Sequence, residues 1–330
     1  MISGCAATHQ SFRPAWWYPG RHLQTIGGAL RRAPRIPLQR TRWELPDGDF
    51  LDIDEMPGTS GAPLLILLHG LESSSRTAHS LGLLEQARKR GWGGLAMNFR
   101  SCSGELNRLS RSYHGGETSD LAWVVDRVTK RDPERPLLLV GMSLGGNVLL
   151  KYLGERGDRV PEQVKAAVAV SAPFNLAASA RALEHGFNRV YMSRLVKSLK
   201  QKTFAKREQF PNLVDYEAVR KVKTLEAFDD LVTGPVHGFA DAEAYWAASS
   251  SAQFLSRIRR PTLLINARND PFLPAVNLPR PEQVANPSLT MEFPASGGHL
   301  GFLSGRWPWK PHAWAERRTV EFLAEKVQAN

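Results

Sequence analysis

Leu137-Leu138-Leu139-Val140-Gly141-Met142-Ser143-Leu144-Gly145-Gly146-Asn147 is the stretch on which the reading of this chain turns. Four consecutive apolar residues are what a strand buried on both faces requires. The glycines end that run in a tight turn, and Asn147 to Leu153 continues with helical spacing. A strand that turns sharply into a helix leaves the residue at the turn standing above the sheet edge. Here that residue is Ser143. Its neighbours two positions away must be small, because strand and helix cross closely there, and Gly141 and Gly145 meet that need. Leu144 opens the helix, so its backbone N–H points at whatever charge develops beside the serine.

Working outward, other short apolar runs alternate with helical patterns. Leu64 to Leu68, Gly94 to Phe99, Ala166 to Val170, Thr262 to Ile265 and Leu289 to Phe293 read as strands. Thr77 to Arg90, Glu117 to Val128 and Ala313 to Val327 read as helices, the second with Leu121, Val124, Val125 and Val128 on one face. Pro46-Asp47-Gly48-Asp49, between two half-apolar runs, signals a hairpin. Strand–helix alternation predicts a mostly parallel sheet flanked by helices. The alternation lapses between Phe174 and Gln253, which holds helical patterns only. The expected organisation is an irregular N-terminal arm over 1–40, an α/β core over 41–173 and 254–330, and a helical lid inserted over 174–253.

Each later strand ends on chemistry. Leu64 to Leu68 runs into His69-Gly70-Leu71-Glu72, where Gly70 is expected to turn the backbone sharply and the Leu71 N–H to be a second anion donor beside that of Leu144. His69 reads as support for that loop. Thr262 to Ile265 leads to Asp270-Pro271-Phe272, with Asp270 held extended by the proline. Leu289 to Phe293 leads to Gly297-Gly298-His299. Ser143, Asp270 and His299 therefore follow successive strands in the order serine, acid, histidine, which is that of the α/β-hydrolase fold. A serine activated by a histidine that an acid orients performs acyl transfer. No metal or organic cofactor is called for, and no CxxC or HExxH spacing occurs.

Composition sets the outer bounds. The 330 residues exceed the roughly 250–300 at which a single core stops growing, which fits a core with an insertion. No apolar run exceeds about five residues, against the roughly 20 that a bilayer span needs. Net charge is +11 and the pI 9.9. That balance attracts polyanions, but no helix-turn-helix, zinc-finger or RNA-binding signature accompanies it, so nucleic acid is not an expected partner. Cys5 and Cys102 are too few for a disulfide framework, consistent with a cytoplasmic setting. Ile2-Ser3-Gly4-Cys5 has the look of a lipoprotein cleavage box but lacks the basic and apolar segments that must precede one, and reads as a plain leader.

Taken together, the sequence resembles the YheT-like hydrolases, a branch of the α/β-hydrolases related to the eukaryotic abhydrolase-domain lipases. The stretches that carry the resemblance are His22-Leu23-Gln24-Thr25, His69-Gly70-Leu71-Glu72, Asn98-Phe99-Arg100 with Cys102-Ser103-Gly104, Tyr113-His114 with Gly116-Glu117-Thr118, Gly141 to Asn147, Asp270-Pro271-Phe272 and Gly297-Gly298-His299. The resemblance implies hydrolysis of carboxylic esters, short-chain esters and monoacylglycerols among them, with Ser143, Asp270 and His299 as the triad. Two positions depart from the family pattern: Asn269 stands where a first acid is common, and Ser73 where glycine is usual. An N-terminal anchor of the kind carried by membrane-bound relatives is not expected. Acyl transfer to an alcohol, through the same acyl-enzyme, is the alternative activity, and a basic lipid-binding surface protein is the alternative class.

Residues 189–207 carry Arg189, Arg194, Lys197, Lys200, Lys202, Lys206 and Arg207 without one acid, interleaved with apolar residues. This reads as a lid helix with a basic face, and a peripheral contact with anionic membrane is the sharper expectation. Phe187, Phe204, Tyr245, Trp246, Trp16 and Trp17 are candidates for an acyl pocket.

Overall fold

The computed structural model describes residues 11–328. Its sheet begins with the hairpin β1 (Gln39–Glu44) and β2 (Phe50–Met56). Six further strands follow: β3 (Leu64–Leu68), β4 (Gly93–Met97), β5 (Leu137–Met142), β6 (Val164–Val170), β7 (Thr262–Ile265) and β8 (Leu289–Glu292). They lie in the order β1-β2-β4-β3-β5-β6-β7-β8, with β2 antiparallel to both its neighbours, β1 and β4, and every other pair parallel. Leu65, Leu67, Leu138 and Val140 pack on one side of the sheet, and Leu64, Ile66, Leu68, Leu137 and Leu139 on the other. The period of two explains why these strands are apolar throughout: both faces are covered.

The helices are α1 (Gly20–Leu30), α2 (Ala78–Arg88), α3 (Ser119–Arg131) and α4 (Leu144–Arg156). Then come α5 (Leu176–Ala182), α6 (Asn188–Ala205), α7 (Tyr216–Lys221), α8 (Leu225–Phe228), α9 (Gly234–Val236) and α10 (Ala242–Ser249). The chain ends with α11 (Pro281–Val284) and α12 (Trp314–Gln328). Helices α2 and α12 share one core with the sheet, and α3 and α4 the other. From β3 the chain crosses first to β4 and then back to β5 on the opposite side. That reversal opens a crevice at the carboxyl ends of β3 and β5, the place where open α/β sheets bind ligands.

Between β6 and β7 the described chain is helical. A short hairpin, β9 (Leu303–Ser304) with β10 (His312–Ala313), precedes α12. No helix among the described residues is long and apolar enough to cross a membrane. The Ile2–Cys5 box lies outside the described residues.

One expectation is corrected here. The segment 1–40 reads as irregular, yet Gly20 to Leu30 is a helix. Its buried residues are Gln24, Thr25, Gly27 and Gly28, polar or small, so no apolar stripe announces it. The helix packs by backbone approach: a Cβ on Gly28 would stand 2.9 Å from Gly301 Cα.

Candidate active site

Ser143 is the one residue between β5 and α4 and takes φ 51° and ψ −122°. Such a conformation costs a non-glycine residue of order 1–3 kcal/mol. The surroundings enforce it. A Cβ on Gly141 would fall 2.3 Å from Gly145 O, and one on Gly145 would fall 2.5 Å from His69 O. No side chain fits at either position, which is the close crossing the spacing predicts.

His299 connects the other two. Its Nε2 stands 2.9 Å from Ser143 Oγ, and its Nδ1 2.8 Å from Asp270 Oδ2. With Asp270 accepting from Nδ1–H, Nε2 is left as the acceptor for the serine hydroxyl. Asp270 Oδ1 accepts the Phe272 N–H at 2.8 Å, so both its oxygens are fixed. Asp270 and His299 are buried. The Phe272 ring stacks on the imidazole at 4.2 Å between centroids. The three residues expected to act together are thus brought together.

The loop after β3 turns by a different device from the one expected. Gly70 does not use the left-handed region; Glu72 does, at φ 51°. Gly70 is needed for space, because a Cβ there would meet Ser143 Cβ at 3.0 Å. His69 is neutral. Burial pushes its imidazole down to about 4, against the raising effect of the Gly70 carbonyl. Its Nδ1–H donates to Gly70 O at 2.8 Å, and its Nε2 accepts the Phe99 N–H at 3.1 Å. Both nitrogens are spent on backbone, so His69 clamps the loop to the end of β4. The Ser73 N–H donates to Gly70 O at 3.3 Å. Leu71 and Leu144 line one cleft with Ser143 and His299. Leu144, as the first residue of α4, has no intrahelical acceptor for its N–H.

That cleft, partly open to solvent, is walled by Leu176, Leu183, Leu199, Leu225 and Leu273 together with Phe272. Of the six aromatic candidates, Tyr245 and Trp246 line it. Phe204 lines a different groove, between α6 and residues 222–224. Phe187 and Trp16 are exposed at 49% and 73%.

Sequence reasoning missed the residues that hold the histidine loop. Thr25 Oγ1 accepts the His299 N–H, Ser171 Oγ accepts the Leu300 N–H, and Asn269 Oδ1 accepts the Gly298 N–H. Gln24 exchanges two hydrogen bonds with the Leu303 backbone. The stretch His22-Leu23-Gln24-Thr25 was the available signal, but nothing in its spacing tells its task. Sequence reasoning also missed Asp229, a carboxylic acid on the cleft wall.

Helix α6 differs from the basic amphipathic helix expected over 189–207. Lys202 Nζ donates to Glu72 Oε1 at 2.9 Å, Lys206 Nζ to Asn107 Oδ1 at 2.6 Å, and Lys200 Nζ to Val222 O at 3.0 Å. Three of the cations are therefore tied to the protein. Arg189, Arg194 and Lys197 remain exposed. Through Glu72, which Ser198 also binds, α6 is tethered to the loop that carries Leu71.

Comparison with known proteins agrees with this architecture. A family model described as alpha/beta hydrolase fold matches residues 63–306. YheT of Escherichia coli strain K12, an esterase by name, is 40% identical over 96% of this chain and 94% of its own. The mouse (Mus musculus) phospholipase ABHD3 is 27% identical over 98% of this chain and 80% of its own. A monoacylglycerol lipase of Saccharomyces cerevisiae is 29% identical over 81% of this chain and 60% of its own. Strand order, turn geometry and these likenesses place the chain in the α/β-hydrolase family, in its YheT-like branch.

Proposed function

We propose that the protein is a serine carboxylic-ester hydrolase that works through an acyl-enzyme, on short-chain esters or monoacylglycerol-like lipids. The observation that carries this reading is the bridge from Ser143 Oγ through His299 to Asp270, at 2.9 and 2.8 Å. The esterase and lipase names of the relatives support the same chemistry. His299 Nε2 takes the Ser143 proton as Oγ attacks the ester carbonyl. Asp270 holds the tautomer and stabilises the imidazolium. The Leu71 and Leu144 N–H groups receive the oxyanion, each contributing about 3–4 kcal/mol in the transition state. The imidazolium then gives its proton to the departing alkoxide, and the alcohol leaves. In the second half a water gives its proton to His299 as its oxygen attacks the acyl carbon. The acid is released and the serine proton restored.

The test is a p-nitrophenyl ester assay on the wild type and Ser143→Ala, with fluorophosphonate labelling of both. Loss of nearly all turnover in the folded variant, with label on Ser143 alone, is expected. Wild-type turnover in Ser143→Ala would end the assignment.

A peripheral contact with anionic lipid belongs to the same reading. It is favoured by Val190 and Phe187, exposed at 59% and 49% beside Arg189 and Arg194. Co-sedimentation with phosphatidylglycerol vesicles, lost on Arg189→Glu with Arg194→Glu, is the expected result. Equal binding to neutral phosphatidylcholine vesicles would remove it.

A further inference from the structure

The cleft is apolar over most of its wall, yet one carboxylic acid stands in it. Helix α8 runs directly into a π-helical turn, Asp229–Thr233. Leu225, Asp229 and Thr233, four residues apart, line the cleft together. The π turn is closed by the Gly234 N–H donating to Asp229 O, and widened turns of this kind recur at functional sites. The next residue turns away: Asp230 accepts the Ala242 N–H at 2.7 Å and fixes the start of α10.

Asp229 is held firmly. Trp246, itself buried, donates its Nε1–H to Asp229 Oδ2 at 2.9 Å, and Thr233, four residues on, stands near the same carboxyl. A carboxylate has about four acceptor positions, and the Trp246 donor leaves capacity unused on a group that lines the cleft. Burial pushes the carboxyl up to about 7, against the lowering effect of Thr233 and Trp246. A lone acid in an apolar cleft is costly, and the interior could satisfy Trp246 with a neutral acceptor. Among the residues lining the cleft, Asp229 is the only carboxylic acid.

We propose that Asp229 forms a polar subsite of the ester cleft, which selects substrates carrying a hydrogen-bond-donating group, hydroxyl or ammonium, over wholly apolar esters of the same length. This rests on the hydrolase reading of Ser143. The donor fills the open acceptor position on Asp229, whereas an apolar chain leaves it buried and unpaired. That asymmetry is how a site built for a hydroxyl rejects an analogue without one.

The test compares kcat/KM within matched pairs on the whole 330-residue chain. On the acyl side the pairs are p-nitrophenyl octanoate against its ω-hydroxy and ω-ammonio forms. On the alcohol side the pair is monooctanoylglycerol against methyl octanoate. The wild type should prefer a polar member by about tenfold or more, and Asp229→Leu should bring that ratio close to one. Asp229→Asn keeps the shape and removes the charge. It should retain a preference for hydroxyl and lose one for ammonium, which separates the two sources and serves if the leucine variant does not fold. No polar preference in the wild type on either side overturns the proposal, as does a preference that both variants leave unchanged. If Ser143 takes the fluorophosphonate label while the preference is absent, the subsite fails and the hydrolase reading stands. If no ester is turned over and Ser143 is unlabelled, both fall.

Discussion

Thr25 Oγ1 accepts the backbone N–H of His299 at 2.9 Å, across 274 positions of sequence. The same hydroxyl donates to Arg21 O at 2.7 Å, so its proton is committed and its lone pair is left for His299. Helix α1 thereby sets the height of the imidazole over Ser143. Thr25→Val keeps the shape and removes the acceptor, leaving a buried N–H unpaired at a cost of about 1–3 kcal/mol. A displacement of about 1 Å at a reacting group costs up to about 100-fold. We expect kcat on a p-nitrophenyl ester to fall by roughly 10- to 100-fold with KM little changed, and Thr25→Ser to restore most of it. Equal kcat in Thr25→Val and wild type would show that the loop holds His299 unaided.

The tight turn makes a second, structural prediction. A Cβ on Gly145 would lie 2.5 Å from His69 O and 2.6 Å from Leu68 O. Those atoms are backbone at the end of a buried strand and cannot swing aside as a side chain would. Gly145→Ala must push α4 away from β3, separating Ser143 from the loop that carries Leu71. Overpacking of this kind costs about 1–3 kcal/mol, occasionally more. We expect a lower urea midpoint together with loss of ester turnover. A variant as stable and as active as wild type would mean that the crossing is looser than these distances.

The contrast between β5 and α1 explains what was legible in the sequence. Strands β3 and β5, and β6 from Ala166 on, carry their burial in their composition, because both faces are covered and each residue must be apolar. Ser143 and Asp270 were readable because each follows such a strand, β5 and β7; His299 follows the half-exposed edge strand β8 and was readable from the glycines before it and its place in the chain order. Helix α1 was not, because it buries Gln24 and Thr25 to bond backbone and Gly28 to let backbone approach. Polar and glycine residues in those roles leave no hydrophobic period. Asp229 was hidden for a related reason: Asp229-Asp230 looks like an ordinary solvated pair, and only the π turn sends one inward and the other to cap α10. The cations of 189–207 misled in the opposite sense. Their spacing looked like one basic face, while Lys202 and Lys206 reach acceptors on loops distant in sequence.

Glu316 offers a pH-dependent test of how α1 is fastened to the core. Its side chain, 4% exposed, binds the Arg31 guanidinium and lies 3.7 Å from His79 Nδ1. Burial works to raise this carboxyl, but Arg31 and His79 more than offset that and hold it down to about 2, against an ordinary value of 4.5. A carboxyl whose folded value is depressed contributes stability that is fully present above the unfolded value and lost as pH falls through the folded one. The window is therefore pH 4.5 down to about 2, where the unfolded chain binds the proton first. Glu316→Gln removes the charge, leaves Arg31 buried without its partner and should cost roughly 3 kcal/mol at neutral pH. The urea midpoint, followed from pH 6 to 2, should start lower in Glu316→Gln and fall less steeply below 4.5 than in wild type. Because Arg31 closes the helix that carries Thr25, the variant should also lose ester turnover at neutral pH. Parallel midpoint curves would show that the pair does not couple to folding, and would leave Thr25 to hold His299 without this fastening.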